Sequence, residues 1–309
     1  MLITRKKFIR TSAITTSLFM LNTTDVLSNP YLNNKTNKNF QLKIFATNWG
    51  FSGSIDAYCE KVKKEGYDGI EIWWSDEKIK QDIIFKALEK YNLEVGFVTA
   101  SDDNDFDTHY KSFTEHIKAI ATNSQKRPLY INCHSGMDYF TFDQNKQIID
   151  YTIKLAKDTE IKICHETHRS RMLYAAHVAK TFMQKIPELR ITLDISHWCN
   201  VSESLLGNQQ ETVALALERT DNIHARIGHA EGPQVNDPRA PEWQAELSAH
   251  LAWWDKVVAY KKNKGEVLTI LTEFGPPGYM PTVPFTRQPL ANQWEINVYM
   301  MQLLKKRYL

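Results

Sequence analysis

Four residues of types able to hold a divalent cation each follow a short apolar run. They are Glu166 in "CHETH", Asp194 in "LDISHW", His224 in "IHARIG" and Glu273 in "LTEFG". Three carboxylates and an imidazole suit Mn²⁺, Mg²⁺, Co²⁺ or Zn²⁺, with positions left open for water or substrate oxygens. Taken singly, each carboxylate reads more simply as half of an ion pair or as a helix cap. Taken together they do not, because three carboxylates around one axis repel one another unless a cation lies among them. One chemistry such a centre can support is removal of a proton α to a carbonyl. That step needs a base within reach and a cation to stabilise the enediolate that develops.

A regular scaffold must bring these residues together, and the chain shows one. Eight runs rich in β-branched and aromatic residues read as strands: 42–49, 69–75, 94–100, 128–136, 161–168, 191–198, 222–229 and 267–275. Amphipathic stretches separate them. "SIDAYCEKVKKEG" starts at Ser54 as N-cap and stops at Gly66, and "DEKIKQDIIFKALEKYN" spaces Ile79, Ile83, Ile84 and Leu88 along one face. "QWEINVYMMQLLKKRYL" closes the chain with a basic last turn suited to the helix dipole. Eight strand–helix repeats predict an α/β fold, a (β/α)8 TIM barrel in one domain spanning 41–309, whose active site forms at the carboxyl ends of the strands. The ends of strands five to eight are where the four candidate ligands stand, and alternation directs them to the barrel axis.

The 309 residues carry Lys+Arg 38 against Asp+Glu 36, a net charge of +2, with no run of five like charges. This balance disfavours a nucleic-acid partner and points to a compact ligand. Residues 1–29 pair Arg5, Lys6, Lys7 and Arg10 with the acid-free "TSAITTSLFML". That is the outline of a signal peptide, with "TRKKFIR" similar to a relaxed twin-arginine motif, and it implies export to a periplasmic compartment. Residues 30–40 read as a spacer, and no later run is long and apolar enough for a stable membrane span. Cys59, Cys133, Cys164 and Cys199 read as structural, a Cys133–Cys164 disulfide being conceivable in an oxidising compartment.

With "EGYDGIEIW" at strand two, Glu166, Asp194 and His197 in "DISHW", His224 and Glu273 in this order, the chain resembles the xylose isomerase-like barrel superfamily. That group holds sugar isomerases, ketose 3-epimerases, inosose dehydratases and endonuclease IV-type enzymes. The resemblance implies that Glu166, Asp194, His224 and Glu273 bind one catalytic metal. In the epimerase branch it further implies that Glu166 and Glu273 exchange protons with the substrate while His197 contacts a substrate oxygen. The epimerases carry an arginine soon after the strand-seven histidine; here Arg226 and Arg239 compete for that part.

Further residues are candidates for substrate contact. His134 ends strand four, and His168 crowds Glu166 together with Arg169 and Arg171; either histidine can serve as acid or base. His165 has the parity that faces the helices. Trp49, Trp74 and Trp198 close strands one, two and six, where flat faces either stack on sugar rings or pack the barrel top. Glu71 points inward, to substrate or to a buried partner. His229 follows Arg226, and "EGPQVNDPRAPEW" reads as a proline-stiffened lid over the mouth. Trp253 and Trp254 suit helix packing or a homo-oligomer contact.

The reading reached from sequence is a metal-dependent sugar isomerase or epimerase acting on a small carbohydrate. A lyase or dehydratase that expels a β-substituent from a keto-sugar or 3-keto-glycoside uses the same enolisation. An endonuclease needs further histidines, yet Arg239 follows Asp237 where the second loop ligand would be His. A non-catalytic sugar-binding barrel would not need the acidic set.

Overall fold

The computed structural model describes residues 39–309; the stretch read as an export signal, and the expected spacer up to residue 38, lie outside the described residues. Eight parallel strands pair in chain order and close with the last beside the first. They are β1 Gln41–Thr47, β2 Gly69–Trp73, β3 Glu94–Ala100, β4 Tyr130–His134, β5 Lys162–Glu166, β6 Ile191–Leu193, β7 Thr220–Ala225 and β8 Val267–Thr272. Parallel neighbours cannot be joined by a tight turn, so helices carry the chain back across the outside of the barrel. These are α1 Ile55–Glu65, α2 Lys78–Lys90, α3 Phe106–Ala121, α4 Phe142–Thr159, α5 Ala176–Lys185, α6 Ile195–Val201, α7 Gln210–Arg219, α8 Gln244–Lys264 and α9 Gln293–Tyr308. The predicted (β/α)8 barrel is the observed fold.

Local chemistry sets the boundaries. Ser54 accepts from the Ala57 amide to open α1, and Gly66, at φ 92°, closes it in the left-handed region that glycine enters at little cost. On α2, Ile84 and Leu88 are buried, but Ile79 and Ile83 face outward, so the predicted single apolar face splits. The sixth strand is shorter than expected. Only Ile191–Leu193 is extended; Asp194 then accepts from the Ser196 amide as the N-cap of α6, and "ISHWCNV" is helical. A side-chain cap at Asp194 offers the backbone a better partner there than another rung of sheet.

Phe45, Tyr130 and Leu271 form a buried cluster of their own, separate from the larger core that includes the barrel-to-helix layer. The two rings fit because β2 and β3 each place a glycine against them. A Cβ on Gly69 would lie 2.7 Å from the Phe45 ring, and one on Gly96 would overlap Tyr130. Register pairs Asn132 with Cys164 and Cys133 with His165, which puts the two cysteines on opposite faces of the sheet. A Cys133–Cys164 disulfide is thereby excluded, and all four cysteines are free and buried. Among the described residues no helix is long and apolar enough to cross a membrane.

Candidate metal centre and its cavity

Register explains how four separate strands deliver one cluster. Glu166 pairs with Thr192, and His224 pairs with Leu271, two residues before Glu273. Asp194 likewise stands two residues beyond Thr192. All four therefore project from the carboxyl rim at nearly one height. One ligand atom from each of Glu166, Asp194, His224 and Glu273 lies within 4.8 Å of the others.

The polar contacts are uneven. Glu166 Oε2 accepts from Asn132 Nδ2 at 2.6 Å and lies 2.5 Å from His134 Nε2. Asp194 Oδ1 takes the Ser196 amide and hydroxyl, and Oδ2 takes Arg226. His224 turns Nε2 toward Glu71 Oε2 at 3.1 Å, and Glu71 also accepts from the Tyr130 hydroxyl at 2.8 Å. That leaves His224 Nδ1 facing the cluster, 3.0 Å from Glu273 Oε2 and 3.6 Å from Glu166 Oε2. Glu166 Oε1, His224 Nδ1 and Glu273 Oε2 are buried without a hydrogen-bond partner. Such orphaned atoms are uncommon in folded proteins, and three converging from separate strands have the donor chemistry of a divalent-cation site.

The electrostatics agree with that fit. Burial pushes His224 down, but the Glu273, Glu71 and Glu166 carboxylates outweigh it and hold the imidazole well above its ordinary range. Burial raises Glu166 and Glu273; His134 and His224 overturn this for the first, His224 and Arg226 for the second, so both end below the usual carboxylate value. Asp194 is pushed up to about 6 by burial, with Glu273 and Glu166 adding to it against the pull of Arg226. The cluster is an anionic hole that draws positive charge.

A cavity of about 210 Å³ opens above it, and its wall separates the candidates. Trp49, Glu71, His134, His168, Arg226 and Glu273 line it. Glu273 is the exposed member of the ligand set, its side chain 13% accessible against 1% for Glu166 and 0% for Asp194. His168 is pushed down to about 4 by burial and by His134, and His197 falls well below its ordinary value by burial and by His168 and Arg226. Trp73, not Trp74, faces the cavity; Trp74 packs on Phe85 and Phe97. Tyr279, from the segment after β8, meets Trp49 edge-on at 4.9 Å and carries the Arg226 guanidinium over its ring at 4.7 Å. Sequence reading missed Trp73, Tyr279 and Asn132. The period of two through Tyr130, Asn132 and His134 marks Asn132 as inward; nothing local marks Tyr279.

Four further expectations are corrected. Trp198 is fully buried in α6 and donates its indole N–H to the Leu173 carbonyl at 2.9 Å, so it packs and meets no substrate. His229 bonds both backbone groups to Gly232 and sets its ring against Trp243, away from the cavity. Arg239 grips Asp237 through two nitrogens, at 2.8 and 2.6 Å, beside Tyr299. The segment holding them is no lid: Gln234 exchanges hydrogen bonds with Gly275, Val235 bonds back to Ile227, and no residue of 227–243 lines the cavity. His165, as its parity predicts, sits between Ser135 and Thr152 of α4, and burial lowers it to about 3.

No family model and no curated protein matches the sequence. Solved structures do. A D-tagatose 3-epimerase-like protein aligns with TM-score 0.57 at 16% identity, over 86% of this chain and 96% of its own. A probable 3-DHS dehydratase AsbF from Bacillus anthracis gives 0.54 at 15%, over 85% and 98%. An IolI protein with a bound zinc atom gives 0.55 at 15%, over 86% and 99%. These similarities span different reactions at low identity and establish architecture. Together with the closed eight-stranded sheet they show that the chain is a (β/α)8 TIM barrel of the same architecture as these proteins.

Proposed function

We propose that this protein is a divalent-metal-dependent sugar isomerase or epimerase that works by α-proton abstraction. The observation that carries the reading is the convergence of three orphaned, buried ligand atoms, on Glu166, His224 and Glu273, with Asp194 beneath an open cavity. A cation held by these four residues supplies Lewis-acid polarisation of a carbonyl and its neighbouring hydroxyl. Glu273 is the carboxylate of the set that borders the cavity, which suits it to take the substrate proton. His134, also in the cavity wall and anchored 2.5 Å from the buried Glu166, is placed to carry a proton at a second point. Trp49 and Trp73, 38% and 51% exposed, offer flat faces to the CH groups of a sugar ring. Four buried or half-buried acids, Glu71, Glu166, Asp194 and Glu273, outnumber the Arg226 guanidinium and the His224 imidazole that they face. That balance favours a neutral carbohydrate over an acidic one.

The exposure of Trp73 at the cavity rim supports a second reading, since it leaves a platform for a further ring. A lyase acting on a 3-keto-glycoside would use the same proton abstraction and then expel the aglycone. Incubation with ketoses and keto-glycosides in D₂O distinguishes the outcomes. Deuterium uptake into an isomer supports the first reading and released aglycone the second, whereas no exchange with any metal-loaded preparation would sink both. The N-terminal signal outline adds the proposal that this chemistry takes place after export.

A further inference from the structure

Packing of the barrel leaves two isoleucines on the outward side of α2, Ile79 at 75% and Ile83 at 51% exposure. Exposed apolar residues scattered singly are ordinary, but Ile83 does not stand alone. It lines a groove of about 380 Å³ between α2 and the β1–α1 loop, together with Phe51, Ile55, Ile72 and Ile84. Gly53 gives the Phe51 ring its room, since a Cβ there would lie 2.8 Å from it. No carboxylate lines the groove, and its one charged side chain, Lys80, holds Glu77 at 2.6 Å. The cavity above the candidate metal centre is the opposite, with Glu71, Glu273, Arg226, His134 and His168 in its wall. The two spaces adjoin, because Asn48 and Ile72 line both.

We propose that this groove is a second subsite of the same centre and takes an aromatic group carried by the sugar, so that the substrate is an aryl glycoside and not a free ketose. The inference rests on the reading of the cavity as a sugar site, and it holds whether the aryl group is then kept, as in an epimerase, or expelled, as in a lyase. Size supports it. At about 210 Å³ the cavity alone falls short of the roughly 300–1,000 Å³ of a small-molecule site, and cavity and groove together lie within that range. Asn48 stands at the junction, half-buried, and its carboxamide makes no hydrogen bond among the described residues. It can therefore meet an oxygen where the polar ring of a glycoside gives way to the apolar one. The space on the other side of Trp49 is a poorer host. Lys61 already lies over Trp294 there at 4.0 Å, and Gln293 spends its amide on the Trp49 and Phe274 carbonyls.

The test uses zinc-loaded protein and matched methyl and 4-nitrophenyl glycosides of glucose and galactose in both anomeric forms, which lack a carbonyl and so bind without enolising. Affinity is read by calorimetry, and occupancy of the groove by the ¹³C shifts of the isoleucine δ1 methyls. The nitrophenyl member of at least one pair should bind about 10–100-fold tighter than its methyl partner, the range for burying a phenyl-sized side chain, and should move the Ile83 methyl. Ile83→Glu should erase that advantage and leave the methyl glycoside unaffected; Phe51→Ala should reduce it. Ile79→Glu, on the same helix but outside the groove, should change neither. Methyl glycosides that bind as well as nitrophenyl ones, or a preference that survives Ile83→Glu, would overturn the groove and leave the sugar reading standing. Free 4-nitrophenol binding as tightly as its glycosides, with the same methyl shifts, would keep the aryl site and refute the sugar reading. A fall in molecular mass by light scattering in Ile83→Glu, with the aryl preference intact, would show that this face meets a second copy of the chain and would overturn the proposal. No binding by any of these probes would overturn both.

Discussion

Replacing Glu273 by Gln tests the division of labour within the cluster. Glu273 stands just beyond β8, its Oε2 3.0 Å from His224 Nδ1 and 3.7 Å from Arg226 Nη1, and it borders the cavity that Glu166 and Asp194 do not reach. Glutamine keeps the shape and one carbonyl oxygen for the cation but removes the proton acceptor. A positioned general base contributes about 10²–10⁴ in rate. Its loss therefore raises the barrier by roughly 3–5 kcal/mol. Because Glu166, Asp194 and His224 remain, metal affinity should fall far less than the rate does. The assay pairs deuterium incorporation from D₂O into the substrate with calorimetric metal titration of the same preparation. Exchange within tenfold of wild type would refute Glu273 as the base. Exchange and metal affinity falling by the same factor would show that it is a ligand and nothing more.

Glu71→Ala frees His224 Nε2 from its carboxylate partner and should weaken metal binding by about 10–100-fold, read by competition titration; Glu71→Gln should lose less. Chelation should lower the melting temperature by roughly 5 °C relative to protein held at 100-fold the metal Kd, since such saturation is worth about 2.7 kcal/mol; an unchanged melting curve would count against the centre. Asp221→Asn should cost about 3–5 kcal/mol in denaturant unfolding, because the Arg190 and Lys261 charges that Asp221 holds at the amino end of β7 lose their buried partner. Burial lowers His250 to about 4 from an ordinary 6.5, where it accepts from the Gly228 amide and bonds the Glu246 carbonyl. Because the folded state disfavours the proton, this contribution is complete above pH 6.5 and is lost as pH falls toward 4, by up to about 3 kcal/mol. His250→Gln should flatten that part of the pH–stability curve, and an identical slope would place the acid sensitivity elsewhere.

What could be read from sequence divides along a physical line. Strand alternation is a local property, so the inward parity of Glu166, His224, Glu71 and His134 followed from spacing once the strands were found, as did the outward parity of His165. Capping interrupted that logic at β6. Asp194 satisfies the first amides of α6, so Trp198, read as the end of a strand, turns into the barrel-to-helix core instead of toward substrate. The segment after β7 misled for a different reason. Its charges suggested a ligand, but Asp237 and Arg239 are two residues apart and satisfy each other, and Gln234 spends its amide on Gly275. Charge density in a loop thus says nothing of direction until its partners are known. Arg226 lies in the same stretch with the same charge as Arg239, yet it is buried against Asp194 because the inward parity of His224 continues to residue 226 while the later loop has left the strand. The useful distinction among the charged residues of 221–243 is therefore phase relative to β7. Phase assigns Arg226 to the site.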